Sequence, residues 1–233
     1  MNLSQQEQAW LTAATTYMQQ TLGQDQTGHS IDHINRVVRL AGKIAQAEQQ
    51  PLFMPLFAAT LHDVIDPKLF DQPAQARQAL TTFLNQIQVP VATQQALWAI
   101  IDHMSFRKNL EQPQQLTLAG QIVQDADRLD AIGAIGIGRT FYYGGHFGDP
   151  MYDPTLPPRQ HLTAAEYAQG NSTVINHFYE KLLRLAQQMN NPTGQQLAAQ
   201  RQAFMETFLT RFKAEWEGDR TSVVWGNSVY LGG

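Results

Sequence analysis

The sequence predicts a single all-α domain over residues 1–218, followed by a C-terminal tail over residues 219–233. Apolar residues recur at helical spacing almost throughout, and no segment before the tail alternates as a half-buried strand does. The 233 residues, of which 43% are hydrophobic and 15% charged, suit one globular domain with a substantial core. The sequence contains no evident internal repeat.

Apolar spacing and capping residues in the N-terminal half predict a series of helices. Ser4 and Glu7 have capping-box spacing at the start of the first helix, and a second helix is expected to begin near Ser30. Pro51 and Pro55 open a third segment, which is apolar nearly all round and is therefore expected to lie centrally. The predicted segments from there on are 56–64, 74–87, 92–103, 118–132 and a shorter one at 135–143.

Residues 144–158 contain many glycines and prolines, and a long loop is predicted there. Such a loop could close over a ligand or simply be a surface loop. The helical pattern resumes at Thr163 and Glu166, and continues through 173–189 and 195–217. Apolar residues of the last helix form a stripe that could dock on the core or serve a homodimer: Leu197, Phe204, Phe208, Phe212 and Trp216, before Gly218.

Composition excludes several classes of protein. No stretch of about 18 apolar residues is present, so a membrane-spanning helix is not expected. The N-terminus lacks the basic start and apolar stretch of a signal peptide. The absence of cysteine excludes disulfides and thiolate sites and is compatible with the cytoplasm, where we expect the protein. A net charge of −4 without a basic tract argues against a nucleic-acid partner.

His62 and Asp63 end the most apolar predicted helix. An ionisable pair there costs desolvation energy unless it is partnered or coordinated. Adjacent helical side chains point about 100° apart, so both reach one ion only at a helix end or crossing. A metal site and a buried histidine hydrogen-bonded to a carboxylate both remain open from these residues alone.

His33 continues the apolar face formed by residues 37, 40, 41 and 44 of the second predicted helix. A core histidine is the plainer interpretation of such a position. Asp32 and His29 beside it favour a metal ligand, because metal-bound imidazoles usually donate their other N–H to a carboxylate.

A third acidic segment places Asp125, Asp127, Arg128 and Asp130 within two turns of an otherwise apolar helix. Three like charges so close are unfavourable unless a cation or Arg128 offsets them. A solvated acidic face fits poorly, because Asp127 falls near the apolar side. A functional role is the favoured interpretation.

These fragments, in the order His, His-Asp and Asp, resemble the HD-domain phosphohydrolase superfamily. The resemblance assigns the metal ligands to His33, His62, Asp63 and Asp127, and it extends over residues 25–218. The segments that resemble one bacterial branch are 28–34, 104–108, 123–138, 140–145, 152–154 and 214–218. The block over 125–138 is the most specific of them.

The resemblance implies an all-α fold and a metal-dependent nucleotide hydrolase, with (deoxy)nucleoside triphosphates cleaved to monophosphate and pyrophosphate as the leading activity. One divalent ion is implied, with Mn the expected metal and Mg, Fe, Ni, Co or Zn the alternatives. His29, Asp32, His103 and Asp130 are expected to support the ligands. Only His103 could serve a second metal, so a two-metal site is not expected.

Substrate contacts are predicted at Lys108, Arg128 and Arg139, because polyphosphate requires positive charge. A further contact is predicted at Tyr143, which could close over a base together with the 144–158 loop and exclude water. Lys68, Arg107 and Tyr142 are further candidates, and Asp66 is the candidate for positioning or deprotonating the attacking water. Each could instead be an ordinary surface or turn residue. The competing functions are a nucleoside monophosphate phosphatase, a cyclic-nucleotide or alarmone hydrolase, and a silent nucleotide-binding module.

Overall fold

The computed structural model describes residues 2–23, 31–66, 72–104, 115–159 and 172–219. These ranges contain helices and turns and no strand, which confirms the all-α prediction. Eight regular helices occur in them, and a ninth, α8, is composite. The regular helices are α1 (Gln5–Leu22), α2 (Ile31–Ala47), α3 (Phe53–Leu61), α4 (Pro73–Gln86), α5 (Val91–His103), α6 (Leu118–Asp130), α7 (Gly133–Phe147) and α9 (Pro192–Trp216).

Helix α8 changes type along its length. It begins as an α-helical turn (Val174–His177), continues as a π-helical segment (Phe178–Leu182) and returns to α geometry (Leu183–Leu185). It ends as a 3₁₀ turn (Ala186–Gln188). The predicted segment 173–189 is therefore helical but irregular.

The capping box at the start of α1 is confirmed. The Ser4 hydroxyl accepts a hydrogen bond from the Glu7 backbone N–H at 3.2 Å, and the Glu7 carboxylate accepts one from the Ser4 N–H at 2.7 Å. Trp10 then packs against Phe53 of α3, with ring centroids 5.7 Å apart. The first helix is thereby fixed to the centre of the fold.

Helix α3 is the central helix and packs against α1, α2, α5 and α6. It begins at Phe53, earlier than predicted, because Pro55 lies in its first turn, where a missing N–H costs no hydrogen bond. It ends at Leu61, so that His62 and Asp63 lie in the turn that follows. The core residues of this helix are fully buried: Phe57, Ala58, Ala59 and Leu61.

The predicted loop over 144–158 is wrong at its start, because α7 continues through Gly144 and Gly145 to Phe147. Gly144 is required for packing, since a Cβ there would overlap Cγ2 of Val174 in α8. The helix ends at Gly148, whose φ of 76° is the left-handed conformation that favours glycine. The irregular segment therefore begins at Gly148. The predicted restart at Thr163 and Glu166 lies outside the described residues.

Helix α9 matches its predicted extent closely and is followed by Gly218 with a φ of 72°. Phe208 and Phe212 of its apolar stripe pack against Phe141 of α7 at centroid distances of 6.0 and 5.8 Å. Phe204 and Trp216 remain about half exposed. The helix therefore docks on its own core through the middle of the stripe. None of the described helices is long and apolar enough to cross a membrane.

Asp125 of α6 anchors the start of α9. Its carboxylate is fully buried and accepts hydrogen bonds from the backbone N–H groups of Asn190 and Asn191 at 2.8 Å and from both side-chain amides at 2.8 and 2.9 Å. A Cβ at Gly194 would press against Oδ2 of this carboxylate. Asp125 therefore serves the fold, so the functional interpretation of the acidic segment does not extend to it.

We expect Asp125→Asn to lower the free energy of unfolding by about 3 kcal/mol, because an amide nitrogen would then face donors that lose their acceptor. Urea unfolding followed by circular dichroism measures the change. The exposed Asp219→Asn is the matched control and should shift the free energy by less than about 0.5 kcal/mol. Equal midpoints for the two variants would contradict this role.

Candidate metal centre

Three separate elements bring four side chains to one place. His33 lies in the first turn of α2, His62 and Asp63 follow α3, and Asp127 lies in the last turn of α6. One potential ligand atom from each of His33, His62 and Asp127 lies within 4.8 Å of the others. Residues far apart in the sequence thus form a compact cluster of nitrogen and oxygen atoms.

The carboxylate of Asp63 lies between the two imidazoles. Its Oδ2 is 3.4 Å from Nε2 of His33, and its Oδ1 is 3.3 Å from Nε2 of His62. Oδ1 of Asp127 is 3.5 and 3.9 Å from the same two nitrogens. The turn after α3 allows the adjacent side chains of His62 and Asp63 to face one point, which adjacent residues can do only at a helix end or crossing.

His62 provides the test of whether these residues fit a metal ion. Its Nδ1 is 2.7 Å from the carbonyl oxygen of Ala59, so Nδ1 donates to that oxygen, and in the neutral ring Nε2 then carries the lone pair. That Nε2 is buried, and in the described part of the chain it has no hydrogen-bond partner. A buried lone pair beside carboxylates fits a divalent cation, and imidazole with carboxylate suits Mn, Fe, Zn or Mg.

His33 is oriented by a carboxylate on its other side. Its Nδ1 is 2.7 Å from Oδ2 of Asp130, which leaves Nε2 facing Asp63 and Asp127. Burial disfavours the charged imidazole, but hydrogen bonds to Asp130 and Asp63 outweigh it and raise the pKa of His33 to about 9. A cation held by Nε2 would therefore take the place of a proton.

Asp130 is nearly fully buried and has several cationic partners. Arg36 donates from Nε and Nη2 at 2.6 and 3.0 Å, and Arg139 donates from Nη1 at 2.6 Å. Burial would raise the pKa of Asp130, but the hydrogen bonds from His33 and Arg36 and the charge of Arg139 hold it well below its usual value. The carboxylate that orients His33 is therefore ionised.

The predicted phosphate-binding arginines lie close to the cluster and already make protein contacts. Arg128 is buried, donates from Nη1 to the carbonyl of Gln188, and in the described residues its Nε has no partner. Burial lowers the pKa of Arg128, while Asp125 and Asp127 oppose that effect. Arg139 is bound to Asp130.

The remaining predicted residues have varied surroundings. Asp66 is half-buried, and its N–H donates to the Asp63 carbonyl at 3.1 Å. Asp32 lies in the first turn of α2, and its charge acts on Arg36. His103 ends α5, and Tyr143 is half-exposed against Phe147 at a centroid distance of 4.6 Å. His29, Lys108, Lys68 and Arg107 lie outside the described residues.

Two charged residues that interact with this centre were not among the sequence predictions. Arg36 follows His33 by three positions and so shares its helix face, which is a spacing that could have revealed it. Lys181 of α8 interacts electrostatically with Asp127, Arg128 and Arg139. No spacing in the sequence relates Lys181 to the other residues, because it comes from a distant helix of irregular geometry.

Comparison with known proteins gives the class of this chain. Residues 30–132 match the HD domain, a range that contains His33, His62, Asp63 and Asp127. The chain belongs to the HD-domain superfamily of hydrolases.

Three relatives extend this match over nearly the whole chain. A solved structure from Lactobacillus plantarum is 52% identical, with a TM-score of 0.83, and the match covers 91% of this chain and 98% of that one. An HD-superfamily hydrolase from Bacillus thuringiensis is 36% identical with the same coverage and a TM-score of 0.71.

The third relative is YpgQ from Bacillus subtilis. Its sequence is 35% identical over 209 residues, which covers 87% of this chain and 92% of YpgQ. The crystal structure of YpgQ in complex with ADP has a TM-score of 0.71 and 32% identity, with 94% of this chain and 98% of that chain covered. The three relatives thus share the fold along almost their full length.

We expect Asp127→Asn to weaken Mn²⁺ binding by about 100-fold or more. Mutation of a residue that only orients a metal ligand costs roughly 10- to 100-fold in metal affinity, and removal of the charge of a ligand itself should cost more. Isothermal titration calorimetry of metal-stripped protein measures the affinity. Glu206→Gln, an exposed charge removal on α9, is the control and should bind Mn²⁺ as the unmodified protein does. Unchanged affinity in Asp127→Asn would remove this carboxylate from the centre.

Proposed function

We propose that the chain is a metal-dependent phosphohydrolase that cleaves (deoxy)nucleoside triphosphates to monophosphate and pyrophosphate. The observation that carries the proposal is the convergence of two imidazoles and two carboxylates around the buried Nε2 of His62, which has no hydrogen-bond partner among the residues that the structure describes. In this proposal His33, His62, Asp63 and Asp127 hold one divalent ion, for which Mn²⁺ is the first candidate.

A divalent ion bound there would polarise a water molecule and a phosphate oxygen. The chain's own residues supply the rest of the chemistry. Asp66, one turn beyond His62 and Asp63, accepts a proton from the water or orients it. Arg128 and Arg139 provide positive charge for the phosphates, and guanidinium groups suit bidentate contacts with phosphate oxygens.

A nucleotide substrate is supported by the relative YpgQ, whose crystal structure includes ADP. The half-exposed ring of Tyr143 on α7 offers a flat apolar surface for a base. In the proposed reaction, the oxygen of water ends on the α-phosphorus of the monophosphate. The bond from that phosphorus to the bridging oxygen breaks, and pyrophosphate leaves.

Product analysis tests this reaction. Metal-stripped protein is reloaded with Mn²⁺ or Mg²⁺ and mixed with a panel of nucleoside tri- and monophosphates in ¹⁸O-labelled water. We expect pyrophosphate and a monophosphate that carries one ¹⁸O atom. The control variant Glu206→Gln should be fully active, and His62→Ala should be inactive with every metal.

Other products would identify a different hydrolase. Orthophosphate from nucleoside monophosphates alone would replace the proposal with a phosphatase. Label in the pyrophosphate would move the attack to the β-phosphorus. A protein that binds metal and nucleotide without turnover of any panel member would be a binding module instead.

A further inference from the structure

Arg36 fixes the orientation of the Asp130 carboxylate. Its Nε donates to Oδ1 at 2.6 Å and its Nη2 donates to Oδ2 at 3.0 Å, so the guanidinium bonds both oxygens in a bidentate arrangement. The side chain of Asp130 is 2% exposed and that of Arg36 is 27% exposed, so the pair is largely shielded from water. A carboxylate held at both oxygens cannot turn about its Cβ–Cγ bond without breaking at least one of these hydrogen bonds.

The same carboxylate directs the ring of His33. Oδ2 of Asp130 is 2.7 Å from Nδ1 of His33, and Nε2 of that ring then lies 3.4 Å from Oδ2 of Asp63. Nε2 is also 3.5 Å from Oδ1 of Asp127. A rotation of the Asp130 carboxylate would therefore turn the imidazole away from the position in which its Nε2 faces these oxygens.

The positions of Arg36 and His33 on α2 allow both side chains to reach one carboxylate. They are three residues apart and so lie on neighbouring turns of one helix face, opposite Asp130 of α6. Arg139 of α7 donates from Nη1 to Oδ2 of Asp130 at 2.6 Å. Arg139 therefore continues to neutralise Asp130 when Arg36 is changed, and a variant at Arg36 does not leave a buried charge without a partner.

We propose that Arg36 is a positioning residue of the metal centre, which acts through Asp130 on the direction of the His33 ring and so raises the affinity for the divalent ion. This inference rests on the part of the proposed function that places a divalent ion at the candidate metal centre, and it does not depend on the nucleotide. Arg36 acts on the ion indirectly, through one carboxylate and one imidazole.

Charge and geometry predict opposite effects when Arg36 is replaced. A guanidinium near a cation site repels the cation, so loss of its positive charge alone would strengthen metal binding. Loss of the bidentate contact would weaken metal binding, because the imidazole could then turn away from the ion. Arg36→Lys separates the two effects, since lysine keeps the charge but has a compact ammonium in place of the planar fork.

The test is isothermal titration calorimetry of the metal-stripped full chain with Mn²⁺. We expect Arg36→Lys and Arg36→Gln to weaken binding by roughly 10- to 100-fold, which is the usual effect of removing a partner that orients a metal ligand. Arg39→Lys and Arg39→Gln make the same replacements at an exposed position of the same helix, and they should bind Mn²⁺ as the unmodified protein does. Unfolding midpoints are measured for every metal-free variant, and Arg36→Gln decides alone if Arg36→Lys does not fold.

The visible spectrum of bound Co²⁺ separates positioning from a general effect on stability. At saturating metal, we expect the absorption bands of the Co²⁺-loaded Arg36 variants to differ from those of the unmodified protein, because these bands respond to the geometry of the ligands. The Arg39 variants should give the spectrum of the unmodified protein. Unchanged or tighter Mn²⁺ binding, or an unchanged Co²⁺ spectrum, in folded Arg36 variants would overturn the role of Arg36 and leave the metal centre intact.

The unmodified protein separates this inference from the proposed function. If it binds Mn²⁺ but hydrolyses no triphosphate, the proposed reaction fails, and weaker Mn²⁺ binding in the Arg36 variants still establishes the positioning role. If it binds no divalent ion, both the role of Arg36 and the proposed function fail.

Discussion

The rest of this structure depends on one constraint, which is that imidazole nitrogens and carboxylates are buried side by side at the candidate metal centre. Two imidazole nitrogens lie 3.3 to 3.9 Å from oxygens of two carboxylates, with little solvent access to three of the four residues. Such an arrangement is unfavourable unless a metal cation or a proton offsets the negative charges. The neighbouring contacts orient these donors: Ala59 holds His62, and Asp130 holds His33.

Helix α6 connects this centre to the fold, because its charged side chains leave the helix in different directions. Asp125 holds the start of α9, Asp127 faces the two histidines, and Asp130 joins α2 to α7 through Arg36 and Arg139. Successive side chains on a helix step by about 100°, so a short acidic run reaches several partners at once. One helix thus couples the position of the candidate metal ligands to the packing of its neighbours.

The fold class and most helix positions could be predicted because periodicity and caps are local signals. The convergence of His33, His62, Asp63 and Asp127 followed from motif resemblance and was not derivable from spacing alone. The continuation of α7 through Gly144 was missed because the need for glycine comes from Val174, which is distant in sequence. The role of Asp125 and the electrostatic interaction of Lys181 with Asp127 likewise depend on packing between distant segments, which no local pattern encodes.

The most direct test of this account is anomalous X-ray scattering from crystals of the protein grown with Mn²⁺. We expect one strong manganese peak within bonding distance of Nε2 of His33, Nε2 of His62 and carboxylate oxygens of Asp63 and Asp127. A crystal with manganese bound elsewhere and none among these four side chains would contradict it.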